Sequence, residues 1–115
     1  MQPYRRSQRL ALQIQHEVSL ILSGRVRDRR IGFVTVTGVD LSPDLRHAKI
    51  FVSSLGTEKD QEATVQNLNR AARWIRHELG QRIRVRFLPE IAFHHDTSQQ
   101  YGEKIDRLLD EIQEH

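Results

Sequence analysis

The stretch His47-Ala48-Lys49-Ile50-Phe51-Val52-Ser53 alternates, with Ala48, Ile50 and Val52 on one side. Successive strand side chains point to opposite faces, so this pattern predicts a strand with one buried face. Upstream, Phe33-Val34-Thr35-Val36-Thr37 is rich in β-branched and aromatic residues and predicts a second strand. Between them, Asp40-Leu41-Ser42-Pro43-Asp44 holds Pro and Asp, which favour a turn. The two strands are expected to pair as an antiparallel hairpin with a long connection.

Helical patterns flank this hairpin. From Ser7 to Ser23, residues Leu10, Ile14, Val18, Ile21 and Leu22 recur at a 3.6-residue period, with Gly24 as a stop. The basic loop Arg25 to Arg30 follows. Beyond the hairpin, Thr57 with Asp60 resembles a capping box. Val65, Leu68, Ala72, Ile75 and Leu79 then continue an apolar helical face, with Gly80 as its C-cap. A third strand is expected from Arg82 to about His95. Its odd positions Ile83, Val85, Phe87, Ile91 and Phe93 are apolar, and Pro89 removes a ladder donor and puts it at an edge or a bulge. Asp96-Thr97-Ser98 can cap a last helix with the face Ile105, Leu108, Leu109 and Ile112. The order α-β-β-α-(α)-β-α predicts an α+β fold, with helices on one face of a three-stranded sheet.

A length of 115 residues is one domain, 1-115, able to bury roughly two-thirds of its unfolded surface. Hydrophobic residues make up only 37%, so the core is small. The absence of cysteine excludes disulfides, thiolate catalysis and cysteine-based zinc sites. No apolar run approaches the ~20 residues needed to span a bilayer. Gln13, Gln15, His16 and Glu17 interrupt what would be a signal-peptide core. The expectation is a soluble, cytoplasmic protein.

Lys and Arg number 18 against 15 Asp and Glu, a net charge of +3. Its distribution says more than its size. Arg5, Arg9 and His16 share the polar arc of the first helix. Arg70, Arg73 and His77 share an arc of the central helix, beside Trp74. Arg82, Arg84 and Arg86 would point the same way from the expected third strand. Glu78 is the one acid among Arg70, Arg73, Arg76, Arg82, Arg84 and Arg86, whereas the C-terminal helix carries Glu103, Asp106, Asp110, Glu111 and Glu114. A charged arc is usually a solvated face, but three arginine arcs with this asymmetry point to a polyanion. Arginine forks match phosphate, and unpaired bases stack on aromatics or guanidinium planes. Trp74 is the one aromatic near these arcs, and it reads more readily as buried between helices.

Chemistry-bearing motifs are sparse. His94-His95-Asp96 looks like a ligand cluster, but neighbours on a strand face opposite ways, and Asp96 reads as a helix cap. There is no Gly-rich phosphate loop, nucleophile elbow or zincin helix. No enzyme, metal or cofactor is expected.

The segment Leu88-Pro89-Glu90-Ile91-Ala92-Phe93-His94-His95-Asp96-Thr97-Ser98 resembles the Pro-Glu-hydrophobic-x-Phe-x-x-Asp-x-Ser signature of the ribosome-binding factor A family. Gly102, Ile105 and Leu108-Leu109 match its spacing, as do Arg9 with its helix and the run Val39 to Ser53. The resemblance spans roughly Arg5 to Leu109. It implies a type II KH-like fold without a Gly-x-x-Gly loop, whose two central helices meet at a kink at Ala71-Ala72-Arg73. It implies a non-catalytic assembly factor that binds 16S rRNA in the immature 30S subunit, aids its late maturation and 16S rRNA processing, and often serves growth in the cold. With the arcs above, the expected RNA contacts are Arg5, Arg6, Arg9, Arg70, Arg73, Arg76, Arg82 and Arg84. The expected state is a monomer, with no membrane or small-molecule partner. An alternative is a protein-interaction module, docking a partner through the acidic C-terminal helix or through exposed Leu12 and Leu20. A third is a metal-dependent hydrolase using His94 and His95.

Overall fold

The structure, a computed structural model, describes residues 3–24 and 34–97. Helix α1 spans Pro3–Gly24, longer at its start than the periodicity marks. Ile14, Val18 and Ile21 on α1 are fully buried, with Leu10 and Leu22 packed beside them. The loop Arg25 to Arg30, the residue Phe33, the side chain of Arg5 and the expected C-terminal helix, with its apolar face and its acids, lie outside the described residues.

Strand β1 covers Val34–Leu41 and β2 covers His47–Ser54, paired antiparallel as expected. β1 runs four residues past the predicted end at Thr37. The cause is a register shift, since Val36 faces Val52 while Gly38 already faces Phe51. Thr37 is the extra residue, and one inserted residue reverses the side-chain parity of a strand. Val34 and Val36 meet the core before the bulge, and Val39 and Leu41 after it. The turn is correspondingly tighter than the predicted connection. The Leu45 N–H donates to the Ser42 carbonyl at 2.9 Å, and the Ser42 N–H to the His47 carbonyl at 2.9 Å. Asp44 accepts from the Ser42 hydroxyl and the Arg46 N–H, and these bonds hold its carboxyl below the ordinary aspartate range.

Helix α2 spans Glu58–Arg70 and α3 spans Ala72–Arg82. The expected capping box is present. The Asp60 N–H donates to the Thr57 hydroxyl at 3.2 Å, and the Thr57 N–H to the Asp60 carboxylate at 3.0 Å. The kink falls at Ala71, whose φ of −89° and ψ of 0° leave the helical range. Strand β3 is Glu90–His95, parallel to β2, so the sheet order is β1-β2-β3 with β3 at an edge.

Two expectations for this region are corrected. Gly80 does not end the helix. The chain stays helical to Arg82, and the Ile83 N–H still bonds the Leu79 carbonyl at 3.0 Å. The glycine serves packing, because a Cβ there would stand 3.3 Å from Leu88 Cδ2. The third strand is also less than half its predicted length. Of the alternating residues before Pro89, only Ile83 is buried, while Val85 and Phe87 are exposed. Arg82 therefore ends a helix, Arg84 and Arg86 sit in a loop, and the three share no strand face.

α1 packs on β1 and α3, and α2 and α3 pack on β3. The core lies between these helices and one sheet face: Ile14, Val18 and Ile21, then Leu68, Ile75, Leu79 and Ile83, against Val36, Ile50, Val52 and Phe93. This is the expected α+β architecture, and its order with a break at Ala71 is compatible with the type II KH-like arrangement.

Candidate nucleic-acid interface

The α2–α3 break positions the arginines. Arg70 ends α2, and Arg73 and Arg76 begin α3, so three cations follow at intervals of three residues across one bend. Leu68, Ile75 and Leu79 point into the core, which turns Arg70, Arg73, Trp74 and His77 toward solvent. Trp74 is 41% exposed, so the reading that buries it between helices is wrong. The core is filled by aliphatic side chains and Phe93, and the indole is left at the edge of the basic arc.

An open depression on this side is lined by Arg73, Arg76, His77, Gly80, Gln81 and Leu88. The Gln81 side-chain amide lies 3.2 Å from His77 Nε2. Glu78 is the one acid on α3 and is half-buried. Among the described residues, the charged side chains that line this depression are Arg73 and Arg76, both cationic.

The expected contacts differ in how free they are. Arg70 and Arg73 are exposed. Arg76 is committed to the fold: its Nε donates to the Pro89 carbonyl at 2.9 Å and its Nη2 to the Leu88 carbonyl at 2.7 Å. Its Nη2 also lies 3.9 Å from the Glu90 carboxylate. Arg82 lies 3.6 Å from Glu17 of α1, which ties the end of α3 to that helix. Arg84 is exposed on the loop. Arg6 and Arg9 are exposed on α1, a different helix, so the arginines form two sets.

Sequence reasoning missed Asn69. Its amide Nδ2 donates to the Phe93 carbonyl at 3.0 Å, and the Phe93 N–H donates to its Oδ1 at 2.8 Å. This double bond pair fastens the α2 end of the kink to the edge strand, and so fixes where Arg70 and Arg73 stand. No local signal marks it, because the partner is 24 residues away.

A second depression lies at the far end of β2 and β3, with Glu58, Glu62 and Asp96 in its lining. Three carboxylates repel a phosphate. Asp96 accepts from the Thr37 hydroxyl at 2.6 Å, so it fastens β1 to the exit of β3, and its expected capping partners lie outside the described residues. Its other oxygen, Oδ1, is buried without a partner among the described residues. His94 and His95 take opposite sides of β3, one exposed and one half-buried, as strand geometry requires. No group of three metal-ligating side chains is found among the described residues.

A three-stranded β1-β2-β3 sheet, helices on one face and a cationic bend between two of them define a class of small α+β domains with a polyanion-suited surface. Within that class the chain belongs to the ribosome-binding factor A family. The family described as Ribosome-binding factor A matches residues 6–109. A relative of that name from Trichlorobacter lovleyi is 46% identical over 109 residues, 95% of this chain and 89% of its own length. The fold agrees with a solution structure from Thermotoga maritima described as a ribosome binding factor A. That structure has a TM-score of 0.73 at 37% identity and covers 85% of this chain and 93% of its own. A homology model of the Thermus thermophilus ribosome binding factor A, fitted into the cryo-EM map of its 30S complex, has a TM-score of 0.62 at 27% identity. It covers 73% of this chain and 88% of its own. No described helix is long and apolar enough to cross a membrane.

Proposed function

We propose that this protein is a non-catalytic ribosome assembly factor that binds 16S rRNA in the immature 30S subunit and assists its late maturation, including 16S rRNA processing and growth in the cold. It would act as a cytoplasmic monomer. The observation that carries the reading is the cationic bend of α2 and α3 in a chain of this family, one of whose solved neighbours is fitted in a 30S complex. Arg70 and Arg73 are the leading phosphate contacts, with Arg84 on the adjoining loop and Arg5, Arg6 and Arg9 on α1 as a second set. Arg76 and Arg82 add charge from positions that the fold already holds. The mechanism is steric and conformational: the protein holds an rRNA segment in an immature arrangement and leaves when the subunit matures.

The test reverses Arg70 and Arg73 together to Glu, because among the described residues neither has a structural bond like those of Arg76. Co-sedimentation with 30S precursors is expected to weaken on the order of tenfold or more, and the dependence of binding on salt to flatten, since fewer counterions are released. Binding that stays at the wild-type level with the same salt slope contradicts the assignment of this face.

A further inference from the structure

The loop between α3 and β3 carries an aromatic ring that neither the core nor the α3 face uses. Phe87 is 74% exposed, and the Arg86 guanidinium carbon stands 5.5 Å from its ring centroid. With Leu88 it lines a depression completed by Arg46 and His47 at the start of β2 and by Glu90 at the start of β3. The backbone beneath the ring is braced. The Glu90 N–H donates to the Arg46 carbonyl at 2.8 Å, and Arg76 holds the Leu88 and Pro89 carbonyls. A large apolar ring left in water on a braced frame is a preformed contact surface.

We propose that this depression is a stacking site for one unpaired nucleobase, with Phe87 as the platform and Arg46 and Arg86 as partners for the flanking phosphates. The inference rests on the rRNA-binding reading and adds a base-binding element to it. A base has a π face that stacks on an aromatic side chain whatever its sequence, and its phosphates call for cations beside the ring. Arg46 and Arg86 supply them. The one carboxylate, Glu90, is turned toward Arg76. A protein partner's apolar anchor favours a contact core poor in charge, which this rim is not. The depression also joins the basic one. Leu88 lines both, so a strand whose phosphates follow Arg73 and His77 passes Leu88 and reaches Phe87.

The test titrates the whole protein with a fluorescein-labelled ten-nucleotide single-stranded oligoadenylate, and with an RNA hairpin duplex carrying the same number of phosphates. Phe87→Ala is expected to weaken single-strand binding roughly tenfold, to leave duplex binding unchanged and to keep the salt slope, as loss of stacking does. Phe87→Tyr should restore it. Thermal unfolding of both variants at the wild-type temperature shows that the exposed substitution left the fold intact. Wild-type affinity of Phe87→Ala for the single strand, while Arg70→Glu with Arg73→Glu loses it, overturns the stacking site and leaves the RNA reading standing. Unchanged or absent binding across all variants overturns both. Weakened binding of Phe87→Ala to intact 30S particles, with no change on the oligonucleotide, assigns the depression to a protein and overturns the inference.

Discussion

Asn69 shows how much of this fold hangs on single side chains that a sequence does not advertise. It meets both the N–H and the C=O of Phe93, as a neighbouring strand would on the open edge of β3. Asn69→Ala removes both bonds and is expected to cost about 1–2 kcal/mol in urea unfolding with an unchanged m value. Arg76→Met keeps the aliphatic stem and removes the two bonds to the Leu88 and Pro89 carbonyls, so a loss of about 1–3 kcal/mol is expected. Ile14, Val18, Leu68, Ile75, Leu79 and Phe93 were legible as core because their periodicity records burial directly. Trp74 and Phe87 were not, because an aromatic residue carries the same letter whether it fills a core or awaits a partner. In the sequence Arg76 reads like any other arginine between Arg70 and Arg86, and only its bonds to the Leu88 and Pro89 carbonyls show that it is a brace.

At the scale of elements, capping chemistry was readable and strand parity was not. Thr57 and Asp60 mark the start of α2 by spacing alone, and the structure shows both bonds. Gly56 precedes them at φ 111°, where an added Cβ would fall 2.7 Å from an Asp60 carboxylate oxygen. Gly56→Ala should therefore strain the backbone and disturb the cap together, at about 1–3 kcal/mol in chemical unfolding. The same cap sets a pH dependence. Bonds from the Thr57 N–H and hydroxyl hold the Asp60 carboxyl below its ordinary 3.8. A carboxyl depressed in the folded state contributes stability that is full above the unfolded value and is lost as pH falls through the folded one. The contribution of this cap to stability should thus begin to fall below about pH 4, and Asp60→Asn should flatten the stability profile there. The errors in strand length share one physical origin. The bulge at Thr37 reverses parity, so alternation ends in the letters while the strand continues. In the segment 82–89, alternation persists in the letters although the chain leaves α3 and enters a loop.

At the scale of the molecule, charge is sorted among the described residues: arginines gather on α3 and its following loop, while a depression at the opposite end of β2 and β3 has Glu58, Glu62 and Asp96 in its lining. Periodicity gave the α+β order, charge patterning gave only the expectation of a polyanionic partner, and the Pro89 to Ser98 signature gave the family. The placement of the arginines was less legible, since the three expected strand arginines divide between a helix end and a loop. What remained was a bend bearing Arg70 and Arg73, held by Asn69 from one side and by Arg76 from the other. The most direct measurement of the proposed role is the position of the protein in a sucrose gradient of lysate from growing cells. Co-migration with free 30S subunits and their precursors, and not with 70S ribosomes, is the expected result, and the Arg70→Glu, Arg73→Glu variant should move to the top of the gradient. A wild-type protein that stays at the top, or that follows 70S ribosomes instead, would contradict the assembly-factor account.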